Sequence, residues 1–243
     1  MLKTMRADLH IHTCLSPCGD LEMSPKGIAH QAKTKEIDIL GICDHNSSEN
    51  VPALIKAARE YEITVLPGME VTSSEEVHIL ALFDEWKSAR KLQAIIYAHL
   101  DGENDEDTFG MQVVVNAEGE VLHFNNKLLI GASTIPVEDV VKTIHSLNGL
   151  AIASHIDREG FSLIGQLGFI PEGLDLDALE ISPAITYEEA MQRFALPFPL
   201  TCSSDAHYIE DIGKGYTSFH IERGTTEEIK KALTNTDGRK IIH

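Results

Sequence analysis

Short apolar runs recur along this chain, and one after another they end in a residue type that can ligate a metal ion. The first ends Asp8-Leu9-His10-Ile11-His12, the next Cys43-Asp44-His45, and a later one Gly68-Met69-Glu70. Val77-His78, Ser154-His155 and Asp205-Ala206-His207 follow. Side chains alternate along a strand, so Asp8, His10 and His12 are expected on one face. A lone His-x-His, Asp-His or strand-end Glu says little, because these residues are common at turns and on solvated ends. Their joint recurrence at successive strand ends is the informative feature. Buried imidazoles and carboxylates gathered in one place need a compensating cation. Mixed His and carboxylate ligation suits zinc, manganese or iron, and one carboxylate can bridge two ions.

Amphipathic stretches separate the runs. Ser24 and Pro25 open a helix in SPKGIAHQAK, and VPALIKAAREYE has an early proline of the same kind. Val137, Val140, Val141 and Ile144 fall at helical spacing, with Gly149 as the expected stop. Thr186 with Glu189 forms a capping box ahead of AMQRFAL, and Thr225 with Glu228 caps EEIKKAL. Repeated strand-then-helix units with short connections imply a parallel sheet with helices outside it. At 243 residues, closure into a single barrel is expected over an open sheet. The C-terminal strand ends of such a barrel meet at one mouth, which would bring the ligand types together. The stretch from about 100 to 135 breaks the pattern. DGENDEDTFG is acidic and turn-rich, and QVVVNAEGEVLHF reads as a β-hairpin around Asn116 to Gly119. We take it as an insertion on one domain spanning 1–243.

Charge narrows the partners. The formal net charge is −18, whereas proteins that grip duplex nucleic acid do so with Lys and Arg. The expectation is therefore no duplex nucleic acid; a nucleotide or short oligonucleotide in a metal-lined pocket stays open. No segment approaches the roughly 20 apolar residues that span a bilayer, so no membrane partner is expected. MLKTMRADLHIH has no apolar stretch before a cleavage site, and a cytoplasmic location is expected. Cys43 and Cys202 sit in apolar runs and read as core residues. Cys14 and Cys18, spaced C-x3-C, are either a zinc or redox pair or reduced loop thiols beside a metal site.

DLHIHT, SPCGD, CDHN, GMEVT with VHILAL, ASHIDR and SSDAH, in this order from residue 8 to 207, together resemble the polymerase and histidinol phosphatase (PHP) superfamily. The resemblance implies a distorted (β/α)7 TIM-like barrel with two or three divalent metal ions. It implies that His10, His12, Glu70 and Asp205 bind a first ion and that Glu70 bridges to a second completed by His78 and His155. Asp20, His45 and His207 would bind a third. An Asp in the loop after His-x-His looks like the small phosphoesterase branch that acts on nucleotides. Asp8 and Asp44 fit beside the ligand imidazoles, whose remaining N–H usually meets a carboxylate or carbonyl; a strand-end acid bonded to backbone N–H is the alternative for both. His99 could compete with His78.

The expected activity is hydrolysis of a phosphate ester of a small metabolite or nucleotide by metal-activated water. There is no G-x-S-x-G elbow and no G-x-x-x-x-G-K-[ST] loop to suggest another route. Arg158, three residues after His155, is placed to clamp a phosphate, or is a surface Arg. His207, or His45, would protonate the leaving oxygen if not committed to a metal. Two alternatives remain: an exonuclease on short oligonucleotides, or a metal-stabilised binding module without turnover. Amidohydrolases also begin with His-x-His, but no lysine stands at a strand end for their bridging carbamate.

Overall fold

The computed structural model describes residues 1–194 and 197–242. Ala195 and Leu196, at the end of the expected AMQRFAL helix, and the terminal His243 lie outside the described residues. In chain order the elements are β1 (Lys3–Ile11), α1 (Pro25–Thr34), β2 (Ile39–Ile42), α2 (Val51–Ala58), β3 (Thr64–Thr72), β4 (His78–Leu82) and α3 (Trp86–Ala98). Then come α4 (Glu106–Phe109), β5 (Val113–Val115), β6 (Val121–Phe124), α5 (Val137–Ser146), β7 (Leu150–Ala153), α6 (Leu163–Leu167) and β8 (Ala178–Ile181). The chain ends with α7 (Tyr187–Phe194), β9 (Leu200–Cys202), β10 (Thr217–Ile221), α8 (Thr226–Leu233) and β11 (Lys240–Ile242).

The main sheet runs β11-β10-β1-β2-β3-β4-β7-β8-β9. Its middle strands curl into a distorted TIM-like barrel. The curl nearly closes at the mouth, where the His12 N–H donates to Ala206 O (3.0 Å) and Ile11 bridges Ala206 in parallel. Lower down, β10 pairs antiparallel with β1 and occupies that edge. The sheet is not wholly parallel, which corrects the sequence reading. β4 is antiparallel to both β3 and β7. Residues 73–77 are too few for a crossover, so they can only turn the chain back on itself.

Three apolar layers hold the barrel. Leu9, Leu66, Leu80, Leu82 and Ile152 fill its interior, with Ile229, Ala232 and Leu233 of α8 packed into the same cluster. α1 and α2 cover one outer wall through Ile28, Ala32 and Leu54 against Ile11, Leu40 and Ile42. α3 and α5 cover another through Leu92, Ile96, Val140 and Ile144 against Ile79, Ala81 and Ala153. Ser24 caps α1 by accepting the Gly27 N–H, as its position predicts. The Thr186–Glu189 box is reciprocal, whereas Glu228 turns from Thr225 to Glu222 N–H and Arg239. α5 stops at Ser146 in a turn that Gly149 helps to close, its N–H bonding Ile144 O (3.0 Å), though not by taking a positive φ itself. Asn148 takes the positive φ of 60°, and Gly149 lies where a Cβ would strike Phe83.

The segment from about 100 to 135 carries its own two-stranded sheet, β5–β6, turning at Asn116 to Gly119. Asn50 ties it down: its side chain donates to Val113 O (3.0 Å) and accepts from Val115 N–H (2.9 Å). Asn46, beyond β2, donates to Leu129 O and Gly131 O, both at 2.8 Å. Among the described residues no helix is long and apolar enough to cross a membrane.

Gly41 in β2 lets β1 approach closely, since a Cβ there would run into the Leu9 backbone. Gly41→Ala should lower stability by roughly 1–3 kcal/mol, as overpacking does. A drop in the urea midpoint at unchanged slope checks this; an unchanged midpoint would contradict it.

Candidate metal centre

A break in β1 aims the first ligands inward. Its pairing with β2 slips between Asp8 and Ile11, a β-bulge that lets neighbouring residues share a side. Leu9 joins the interior cluster, and His10 beside it meets Glu70. Asp8 does not sit with the imidazoles as strict alternation suggested. It is fully buried and accepts backbone N–H from Ser204 (3.0 Å) and Gly213 (2.9 Å), fastening the loops after β9. Burial pushes its pKa up to about 6 against those hydrogen bonds.

Glu70, in β3, is the hub. His10 Nε2 lies 3.4 Å from its carboxylate, His12 Nε2 3.6 Å, His45 Nδ1 3.1 Å, His78 Nδ1 2.9 Å and His155 Nε2 3.4 Å. Asp205 approaches from the other side, its Oδ1 3.3 Å from His10 Nε2 and 3.1 Å from His12 Nε2. All six of these partners are buried. Among the described residues three ligand groups emerge: His10, His12 and Asp205; His45, Glu70 and His78; and His12, His45 and His207.

Hydrogen bonds on the far side of two rings fix their tautomers. His10 Nδ1 lies 2.9 Å from Glu180 Oε1, a carboxylate that can only accept, so Nδ1 carries the hydrogen. His12 Nδ1 lies 2.9 Å from Ser16 Oγ, whose own hydrogen goes to Asp44 at 2.7 Å. Each neutral ring then presents a bare Nε2, and these two atoms are 3.1 Å apart. Lone pairs do not face one another at that distance without something positive between them. Several of the converging atoms, Glu70 Oε1, His45 Nδ1, His78 Nδ1 and Asp205 Oδ1, are buried without a hydrogen-bond partner despite their close neighbours. The donor set and these orphaned atoms fit divalent metal ions.

Without an ion, protons must do this work. Burial opposes charge on His10, but Asp205, Glu180 and Glu70 raise its pKa well above the ordinary value. Burial and the neighbouring His207 hold the His12 pKa well below its own. Glu70 is held far below the usual carboxylate range by His78 and His10 although burial pushes it up. A metal ion would displace these protons, since it binds neutral imidazole and ionised carboxylate.

The expected second tier is only partly as read. Asp44 accepts from Thr13 N–H (2.7 Å), Thr13 Oγ1 (2.8 Å) and Ser16, and so acts on His12 through Ser16. Glu180, near the end of β8, was overlooked in LDALEIS; besides His10 it accepts the His155 N–H (3.2 Å). His155 and Asp205 both adopt positive φ, 27° and 50°. Such backbone costs of order 1–3 kcal/mol per residue and persists where surroundings enforce it.

Asp20, expected as a ligand, faces away from the cluster, while Cys18 stands against its imidazoles. The Asp20 carboxylate accepts the Glu22 N–H (2.7 Å) and belongs to none of the ligand groups. Cys18 Sγ instead stands 3.2 Å from His45 Nε2 and 3.1 Å from His207 Nε2. Burial raises its pKa, but hydrogen bonds to His207 and His45 outweigh that and bring it to about 6. Arg158 is not a free clamp: its Nη1 meets Asp205 Oδ2 at 2.5 Å. His99 caps α3 with Nδ1 on Ile95 O (3.0 Å) and does not compete with His78.

The cluster opens into a pocket of about 340 Å³ lined by Cys18, His45, Glu70, His78, Ile130, His155, Arg158, Gly160, Phe161, Asp205 and His207. Phe161 comes from the glycine-punctuated loop after β7. Its ring stacks on His78, 4.8 Å between centroids at 20°, yet the residue stays 44% exposed.

Residues 8–162 match the PHP domain family. The chain belongs to that family. Residues 190–237 match a PHP-associated segment. The family comprises hydrolases that act on phosphoric ester bonds with the help of metal ions. A 5′-3′ exoribonuclease of Haemophilus influenzae is 23% identical over 192 residues, 63% of this chain and 69% of its own. The crystal structure of a lesion-specific endonuclease from Pyrococcus furiosus superposes with a TM-score of 0.74 at 20% identity, over 98% of this chain. This chain spans 58% of that endonuclease's length. An endonuclease Q complex with a 27-mer duplex, an abasic lesion at its active site, gives 0.72 at 20% identity, covering 98% of this chain and 58% of its own. That complex overturns the exclusion of duplex nucleic acid drawn from net charge. A chain of this fold takes a duplex at its active site, and total charge does not describe the potential at a metal-lined mouth.

Glu180→Gln should weaken metal binding roughly 10–100-fold, the usual effect of losing such a partner. Competition with a chelating dye measures it; unchanged affinity would mean that the Glu180 charge contributes nothing to metal binding through His10.

Proposed function

We propose that this chain hydrolyses phosphate esters of nucleotide units, either free or at the end of a short strand. The observation that carries the reading is the pair of bare Nε2 atoms of His10 and His12 facing each other beside Asp205 and Glu70. Divalent ions held there, of zinc, manganese or iron, would supply Lewis acidity and an activated water. His10, His12, Glu70 and Asp205 would hold one ion, Glu70 with His78 and His155 a second, and His45 with His207 a third.

The remaining chemistry belongs to side chains. His207 Nδ1 lies 2.9 Å from the Asp205 carbonyl and so carries the hydrogen, which leaves Nε2 as a lone pair turned inward. That tautomer suits a ligand better than a proton donor, and we assign His207 the ligand role. Arg158 holds Asp205 with one nitrogen, while its side chain stays 45% exposed and lines the pocket. Its other N–H groups are free in direction to meet phosphate oxygens.

Phe161 and Ile130 give the same pocket an apolar wall. A plain sugar phosphate has no use for one, whereas a nucleobase stacks on an aromatic ring with roughly 1–3 kcal/mol per base. The likeness to an exoribonuclease agrees with a nucleotide unit as substrate. A non-catalytic binding module is disfavoured because the groups around Glu70 and Asp205 keep their imidazole and carboxylate ligands.

His10→Ala and Asp205→Ala should lose bound metal and turnover together. Full turnover by metal-free protein would defeat the mechanism. Phe161→Ala should raise KM for a nucleoside monophosphate about 10-fold, on the scale of one stacking contact, and leave KM for ribose 5-phosphate unchanged. Equal changes for both substrates would show that the ring does not read a base. Comparing a nucleoside monophosphate with an end-labelled oligoribonucleotide separates the free from the strand-end substrate.

A further inference from the structure

The third ligand group is incomplete without a sulfur. His45 and His207 turn their Nε2 atoms toward one point, and the atom standing there is Cys18 Sγ, at 3.2 Å and 3.1 Å. A thiol has one hydrogen. Between neutral rings it can satisfy one of these nitrogens, and the other sets its lone pair against sulfur unless that ring takes up a second proton, the work an ion would otherwise do. For His207 no tautomer change relieves this, because Nδ1 already gives its hydrogen to the Asp205 carbonyl. His45 Nδ1 is buried beside Glu70 without hydrogen-bond geometry.

The loop holds Cys18 in this place by its backbone. Ser16 N–H bonds Thr13 O, Gly19 N–H bonds Ser16 O, and Asp20 N–H bonds His207 O. Gly19 is required at the bend, where a Cβ would strike Thr13 O. The same turn sends the Asp20 carboxylate outward to the Glu22 N–H. The thiol is therefore presented to the imidazoles and the neighbouring acid is withdrawn.

We propose that Cys18, as a thiolate, is a ligand of the ion held by His45 and His207, in place of a loop carboxylate. This rests on reading the mouth as a metal centre. Two imidazoles and a thiolate with a position open to solvent form a donor set suited to zinc, and sulfur favours zinc or cobalt over manganese and magnesium. The centre would then be mixed: oxygen and nitrogen donors around Glu70, and one soft position at the rim. On binding, the thiol gives up its proton to solvent as the metal–sulfur bond forms.

Anaerobic titration of the metal-free protein with Co2+ tests this, reading the near-ultraviolet sulfur-to-cobalt charge-transfer band together with bound cobalt by elemental analysis. The band should appear in wild type and in Cys202→Ser, a cysteine outside the pocket. Cys18→Ser should lack the band and bind one ion fewer at the same free cobalt. Cys18→Asp should recover the ion without the band. Cobalt bound by wild type with no band would overturn the thiolate assignment and leave the metal centre standing. Loss of an ion in Asp20→Asn with the count unchanged in Cys18→Ser would return the role to Asp20. Failure of wild type to bind cobalt at all would overturn the metal centre itself.

Discussion

Like charges and lone pairs do not gather in a protein interior unless something positive holds them there. Around Glu70 this chain gathers five imidazoles from four other segments, with Asp205 closing the group. Much of the fold can be understood as the means of doing so. The bulge in β1 turns His10 and His12 inward. Gly41 lets β1 and β2 pack closely below them. The bond from His12 N–H to Ala206 O joins the two ends of the curl at the level of the cluster. The positive φ of His155 and Asp205 accompanies a His155 backbone N–H held by Glu180 and an Asp205 carboxylate held by Arg158.

The barrel and the mouth were legible because both follow from local patterns. Apolar runs announce strands, and the residue at the end of each run is placed at the mouth by topology alone. What the pattern missed depends on contacts between distant segments or on loop geometry. Glu180 meets His10 across 170 positions of chain, and nothing in LDALEIS marks its acid as different from a solvated one. Alternation put Asp8 with His10 because a bulge leaves no trace in residue types. Cys18 and Asp20 are two positions apart in a loop without period, so only its hydrogen bonds decide which faces inward. The antiparallel β4 was concealed by a run that reads like its parallel neighbours.

Net charge misled for a related reason. A total of −18 is a property of the whole surface, and many of those carboxylates lie on exposed helices and turns. Recognition of a phosphate depends on the potential at the mouth, where bound metal ions would set the sign. Acidic proteins and polyanionic substrates are compatible when the contact is made through cations.

The central claim is that the residues around Glu70 converge on metal ions. Anomalous diffraction from crystals grown with Zn2+ or Mn2+, collected on both sides of the absorption edge, addresses it directly. The account predicts peaks within coordination distance of Glu70, one between His10, His12 and Asp205 and another toward His78 and His155. An ordered cluster with no anomalous peak, its nitrogens and oxygens bridged by water or protons alone, would contradict it.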